Sequence, residues 1–216
     1  MKKILFLILL CQISCKGQTE CPEGINLLPM YGEVEKCERQ LELDNEFVLE
    51  ASKKFKNRKE ASEYFVSKAW EYFYKNDNDT SMKRFNQAWL LDKSNPQTYW
   101  GFGNLLGKKN KFDESIKFFK KSIDLDPNNA KVYECISVSY GQMFVKTKDI
   151  KFLDLTIENL KKAVKIEPNN GKSLGQLASS YAYLNQKDSL IKYIRKTDEI
   201  DSKFVNPETR NSAKKK

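Results

Sequence analysis

The sequence predicts an all-α solenoid built from four helix–turn–helix repeats. Three observations carry that prediction. Residues 96–129, PQTYWGFGNLLGKKNKFDESIKFFKKSIDLDPNN, form a 34-residue unit whose apolar residues recur at helical spacing. The same spacing returns before and after this unit. Finally, Asp126-Pro127-Asn128-Asn129 and Glu167-Pro168-Asn169-Asn170 stop two helices at equivalent repeat positions, because proline is tolerated at helix starts but not in interiors.

Residues 1–14, MKKILFLILLCQIS, carry Lys2 and Lys3 ahead of an apolar run from Ile4 to Leu10. That is a signal-peptide pattern, too short to span a bilayer as a mature helix. Ile13-Ser14-Cys15 is similar to the end of a bacterial lipobox, which implies that Cys15 becomes the lipidated first residue; ordinary cleavage after Gly17 is the alternative. Lys16 in the next position favours an outer-membrane destination for the anchored form, with the periplasm as the destination of the soluble one. In either case an oxidising compartment is expected, and Cys21 and Cys37 are candidates for a disulfide. Closing a loop of about 15 residues would contribute on the order of 3 kcal/mol. Cys135 is expected as a small buried hydrophobe.

Residues 15–44 hold turn signals at Pro22, Gly24, Pro29 and Gly32 without a helical period, so an irregular strap is expected, with INLLPMYG docked on the solenoid. From Asp44 onward, Phe47, Val48, Ala51 and Phe55 follow helical spacing. A helix over about 45–55 therefore leads through a linker to residue 61, with Asn57 as the cap of the next helix.

The repeats divide as 62–95, 96–129, 130–170 and 171–204. In the second, counting Pro96 as position 1, Tyr99, Phe102 and Leu106 occupy positions 4, 7 and 11 on one helix face. Phe112, Ile116, Phe119, Ile123 and Leu125 line the partner helix. Gly103, Ser115 and Ser122, at positions 8, 20 and 27, are small enough for the two helices to approach closely. Phe65, Ala69, Tyr72, Ser81, Phe85, Ala88 and Leu91 repeat this pattern in the first unit. Leu174, Leu177, Ala178, Tyr181, Leu190 and Ile194 do so in the fourth. The third is 41 residues long, and its seven extra residues are expected near 141–152 as a longer hairpin. Residues 205–216 read as a disordered basic tail. The end of the solenoid is then left to Lys192, Arg195 and Lys196 or to a partner.

This spacing resembles the tetratricopeptide repeat (TPR), with serine in place of alanine at positions 20 and 27 of the second unit. The whole chain is similar to exported, Bacteroidetes-like lipoproteins in which an INLLPMYG-like stretch precedes such repeats. The resemblance implies a right-handed superhelix whose first helices line a concave groove through positions 2, 5, 9, 12 and 13. It carries a partner-binding role onto Trp70, Phe73, Tyr74, Trp100, Asn104, Lys108, Lys131, Glu134 and Tyr183. Four aromatics at one end of a groove are typical hot-spot residues, unless the strap covers them. The carboxylate clamp of chaperone-binding TPR proteins wants lysine and asparagine where this chain has Val66 and Trp70, so that mode is not supported.

Composition narrows the chemistry. The chain has no histidine, which removes imidazole bases and Ser-His-Asp or Cys-His arrangements. No CxxC and no GxxxxGK loop occur, and no cofactor or metal is expected. The net charge of +9 comes largely from lysines dispersed along helices, which reads as a solvated face rather than a nucleic-acid surface. A non-catalytic interaction module or scaffold of the cell envelope, taking a protein or peptide partner and anchored to the membrane through Cys15, is the expected function. A carboxylate-based hydrolase acting on an envelope polymer is the alternative, and two facing carboxylates in a deep groove would mark it.

Overall fold

The structure, a computed structural model, describes residues 20–214; the signal segment and Cys15 lie outside the described residues. Ten helices and no strand occur among them. They are α1 (Glu38–Lys54), α2 (Arg58–Tyr74), α3 (Asn78–Leu91), α4 (Pro96–Lys108), α5 (Phe112–Leu125), α6 (Ala130–Thr147), α7 (Ile150–Ile166), α8 (Gly171–Tyr183), α9 (Lys187–Asp198) and α10 (Pro207–Lys214). Helices α2/α3, α4/α5, α6/α7 and α8/α9 are the four hairpins, and each stacks on the next. First helices also touch first helices, α2 on α4 and α4 on α6, so they form the inner wall.

Local chemistry sets the helix ends. Asn57, Asp77, Asn95, Asp149 and Asn170 each accept a backbone N–H of the first helical turn through the side chain. Asn76, Asn110 and Asn185 take a left-handed backbone, with φ of 61°, 58° and 55°, in the turns of repeats one, two and four. Asparagine tolerates that region because its short polar side chain bonds locally. Repeat three uses Lys148 there, at φ 60°.

The serines of position 20 have a specific role. Ser81 and Ser115 donate to the carbonyls of Ala69 and Gly103 at 2.9 and 2.8 Å, each bridging a hairpin at position 8. Thr156 donates to the Ser137 carbonyl in the same way at 3.3 Å. Every one of these hydroxyls is buried, and its bond replaces the one lost from water. Beneath them Phe85, Phe102, Phe119, Leu160 and Leu177 are fully buried in a chain of contiguous cores.

Two elements, the start of α1 and the C-terminal segment, differ from the sequence reading, and the longer hairpin of repeat three agrees with it. Helix α1 starts at Glu38, inside the segment expected to be irregular, because Cys37 and Gln40 form a capping box there. Leu41 and Leu43 are exposed, and the helix packs on the solenoid only from Phe47, Val48 and Ala51 onward, so its buried face begins later than the helix does. The seven extra residues of repeat three extend α6 and α7 to 18 and 17 residues, leaving a short turn at Lys148 and Asp149. Residues 207–214 are helical rather than disordered. Asn206 accepts the Thr209 N–H at 2.7 Å, Ser179 and Thr209 share a hydrogen bond of 3.0 Å, and Val205 is buried. Helix α10 therefore closes the last repeat by packing on α8 and α9.

A disulfide joins Cys21 to Cys37, with Cα atoms 5.1 Å apart. It closes the strap, whose two 3₁₀ turns, Ile25–Leu27 and Pro29–Glu33, lie on α3. Asn86 holds the strap by donating to the Asn26 and Leu28 carbonyls at 3.0 and 2.8 Å while accepting the Tyr31 N–H at 3.4 Å. Met30 is inserted into the core beside Phe85.

Candidate functional site

The docking of the strap decides what the inner wall can do. Because it grips α3, a second helix, the strap does not lie on the wall formed by α2, α4 and α6, while the Ser202–Phe204 turn and α10 pack on α8. The aromatics of the wall instead pack on one another. Trp70 lies 4.7 Å from Trp100 across the repeat boundary, 5.1 Å from Phe73 and 5.3 Å from buried Phe85, measured between ring centroids. Trp70, Phe73 and Trp100 are half-buried, while Tyr74 stacks on Trp70 and is 76% exposed. Val66, at an expected groove position, is buried in the core. Tyr183, at the other end of the wall, is exposed and rests edge-on against Phe144.

Next to this aromatic block a cavity of about 520 Å³ opens between repeats two and three. Phe73, Phe119 and Val138 give it apolar surface, and Asn104, Gln142 and Lys172 bring polar groups to it. A few polar groups on an apolar lining are the usual composition of a binding cleft. Val138 at its edge is exposed, an unpartnered apolar side chain facing a depression.

Several expected groove residues are engaged within the protein. Lys108 donates to the Phe73 carbonyl at 3.0 Å and to Asn76 at 3.1 Å, and its ammonium sits 3.8 Å from the Phe73 ring centroid. It therefore clips repeat two onto the turn of repeat one. Glu134 is buried and accepts from Asn170 at 2.5 Å and Ser173 at 2.8 Å, with Lys172 at 3.7 Å. It braces repeat three against repeat four, although the cavity reaches its edge. Asn104 donates to the Trp100 carbonyl at 2.8 Å and accepts weakly from the Cys135 thiol. Lys131 is exposed. Cys135 receives the Trp100 indole N–H at 3.3 Å, and burial pushes its thiol up, so it stays protonated at neutral pH.

The chemistry available here is recognition. Glu134 is the one carboxylate lining this cavity, and hydrogen bonds already occupy it. Among the described residues no group of three His, Cys, Asp or Glu side chains is placed to hold a metal ion. Val138, at position 9 of repeat three, lines the cavity as a groove position implied by the resemblance. Sequence reasoning missed Gln142, although it stands at groove position 13, and Asn86 as the anchor of the strap, which at position 25 carries no such signal.

Comparison with known proteins agrees with this architecture. Residues 96–129 match the family model described as the tetratricopeptide repeat. No curated protein sequence matches the chain. Among solved structures, MamA is 18% identical with a TM-score of 0.57, covering 66% of this chain and 79% of its own. YrrB, described as a TPR protein with an unusual peptide-binding site, is 19% identical with a TM-score of 0.56, covering 69% of this chain and 72% of its own. TTC0263, a thermophilic TPR protein of Thermus thermophilus, is 15% identical, with a TM-score of 0.56 and coverage of 70% and 79%. The protein thus has the fold of a TPR solenoid.

Proposed function

We propose that this protein is a non-catalytic interaction module of the bacterial cell envelope that binds an extended peptide or protein segment along its inner wall. The observation that carries this reading is the uncovered cavity of about 520 Å³ beside the Trp70–Trp100 aromatic block. Tyr74 and Tyr183 offer exposed rings at the two ends of the wall, and Val138 marks its centre. Aromatic anchors in a partly apolar cleft are where binding energy concentrates. The peptide-binding description of YrrB, which shares the fold, supports the same use of the wall.

Export and membrane anchoring through Cys15 are part of the proposal. The apolar run ending at Cys15 supports them, as does the Cys21–Cys37 disulfide, which suits an oxidising compartment. Capture from envelope extracts tests the groove reading. A species retained by the native protein and lost with Val138→Arg, at an unchanged melting temperature, supports it. Capture indifferent to Val138→Arg and Tyr74→Ala overturns it.

A further inference from the structure

The charge of this chain is segregated. Residues 51–216 hold 33 Lys and Arg against 20 Asp and Glu, whereas residues 20–50 hold 2 against 9. The fold puts the two populations on different surfaces. Positions 25 and 26 are both cationic in repeats two, three and four: Lys120 and Lys121, Lys161 and Lys162, Arg195 and Lys196. All six lie on second helices and are exposed, so equal register in stacked repeats aligns them as a stripe on the outer face. In repeat one the same positions are Asn86 and Gln87, and there the strap of this chain is already seated.

The opposite charge stands on α1. Glu38, Glu42 and Glu46 follow one another at i, i+4 and i+8, about 6 Å apart along the helix. Their face also carries Leu49, 57% exposed, and it points away from the side that packs Phe47 and Ala51 on the solenoid. Like charges at i, i+4 destabilise a helix. Among the described residues no cation lies within ion-pair distance of these three carboxylates, nor any carboxylate within that distance of Lys120, Arg195 or Lys196.

We propose that the cationic stripe of one molecule receives the α1 face of a second copy. The contact is heterologous, joining two different surfaces, so a pair still has one free stripe and one free α1 face and association grows into open chains rather than closing as a dimer. It leaves the inner wall free and does not depend on what the groove binds. The contact is electrostatic and solvent-edged, so it is governed by screening: the Debye length falls from about 20 Å to about 6 Å between roughly 25 and 300 mM salt.

Sedimentation velocity of the purified protein tests the proposal. The weight-average mass should at least double over that of the processed monomer at low salt and return to it at high salt. Glu38→Lys/Glu42→Lys/Glu46→Lys and Lys120→Glu/Arg195→Glu/Lys196→Glu should each abolish association, with far-UV spectra and melts confirming that both fold. An equimolar mixture of the two variants should associate again, because the reversed α1 face of one meets the reversed stripe of the other. A native protein that stays monomeric at low salt overturns the proposal, as does association that survives either reversal or a mixture that stays monomeric. Binding of the monomer to phosphatidylglycerol vesicles, lost on stripe reversal while the native protein never self-associates, would assign the stripe to a membrane instead.

Discussion

Alanine in place of Gly101 should destabilise the protein, while the same change at Gly141 should stabilise it. Both glycines are inside helices, where alanine is intrinsically better by about 1 kcal/mol. What separates them is the space above the Cα. A Cβ added at Gly101 would stand 2.1 Å from Cζ and 2.2 Å from Cε1 of Phe85, a fully buried ring. That ring cannot retreat freely, because Trp70 and Phe102 pack against it at 5.3 and 6.0 Å. Overpacking costs typically 1–3 kcal/mol; an approach this close takes the upper end, about 3 kcal/mol, and subtracting the roughly 1 kcal/mol that alanine gains in a helix leaves a net loss of about 2 kcal/mol. At about 2–4 °C per kcal/mol for a protein of this size, the melting temperature should fall by roughly 4–8 °C. At Gly141 the nearest atom is Thr156 Oγ1 at 3.9 Å, ordinary contact distance, and the melting temperature should rise by roughly 2–4 °C. Thermal melts followed by circular dichroism read both. Equal shifts in the same direction would refute the argument that close approach of α4 to α3 requires a glycine at 101.

Other perturbations separate structural residues from binding residues. Glu134→Ala leaves Asn170 and Ser173 without their acceptor and should cost roughly 2–3 kcal/mol in urea denaturation, whereas an unchanged midpoint would free Glu134 for a ligand. Trp70→Ala, which strips contacts from buried Phe85, should cost about 3 kcal/mol, while exposed Tyr74→Ala should stay within about 0.5 kcal/mol on the same assay. Arg210 holds the Asp198 carboxyl below the usual carboxylate range, so the α10 clip is at full strength above about pH 4 and weakens as pH falls through the depressed value. Hydrogen exchange of α10 amides should therefore accelerate in acid beyond the intrinsic trend, and Asp198→Asn should remove that excess. Thiol labelling of denatured, unreduced protein processed at or beyond Cys15 and lacking that cysteine should modify Cys135 alone; three labelled thiols would exclude the Cys21–Cys37 bridge.

The solenoid was legible because each repeat declares itself through local signals: apolar spacing, small residues at the crossing points and proline-asparagine stops. The C-terminal helix escaped because its stability is not local. An eight-residue polar helix is marginal alone, and α10 is held by Ser179, the burial of Val205 and the Asp198–Arg210 pair, none visible as a pattern. The start of α1 was hidden for a related reason, since its first turns keep their leucines exposed and show no buried face. On the inner wall, repeat position identified which side chains point inward but not which are already engaged. Lys108 and Glu134 sit where a ligand contact is expected, yet long-range partners in neighbouring repeats claim both.

The most direct test of the account is photo-crosslinking from a probe residue placed at Val138, with Lys117 and Asp154 on outer helices α5 and α7 as controls. In envelope extracts the account predicts a discrete heterologous adduct from Val138 that is lost when Tyr74 and Trp100 are replaced, and none of that adduct from the two outer positions. The same adduct arising from Lys117 or Asp154 while Val138 stays silent would contradict an inner-wall binding site.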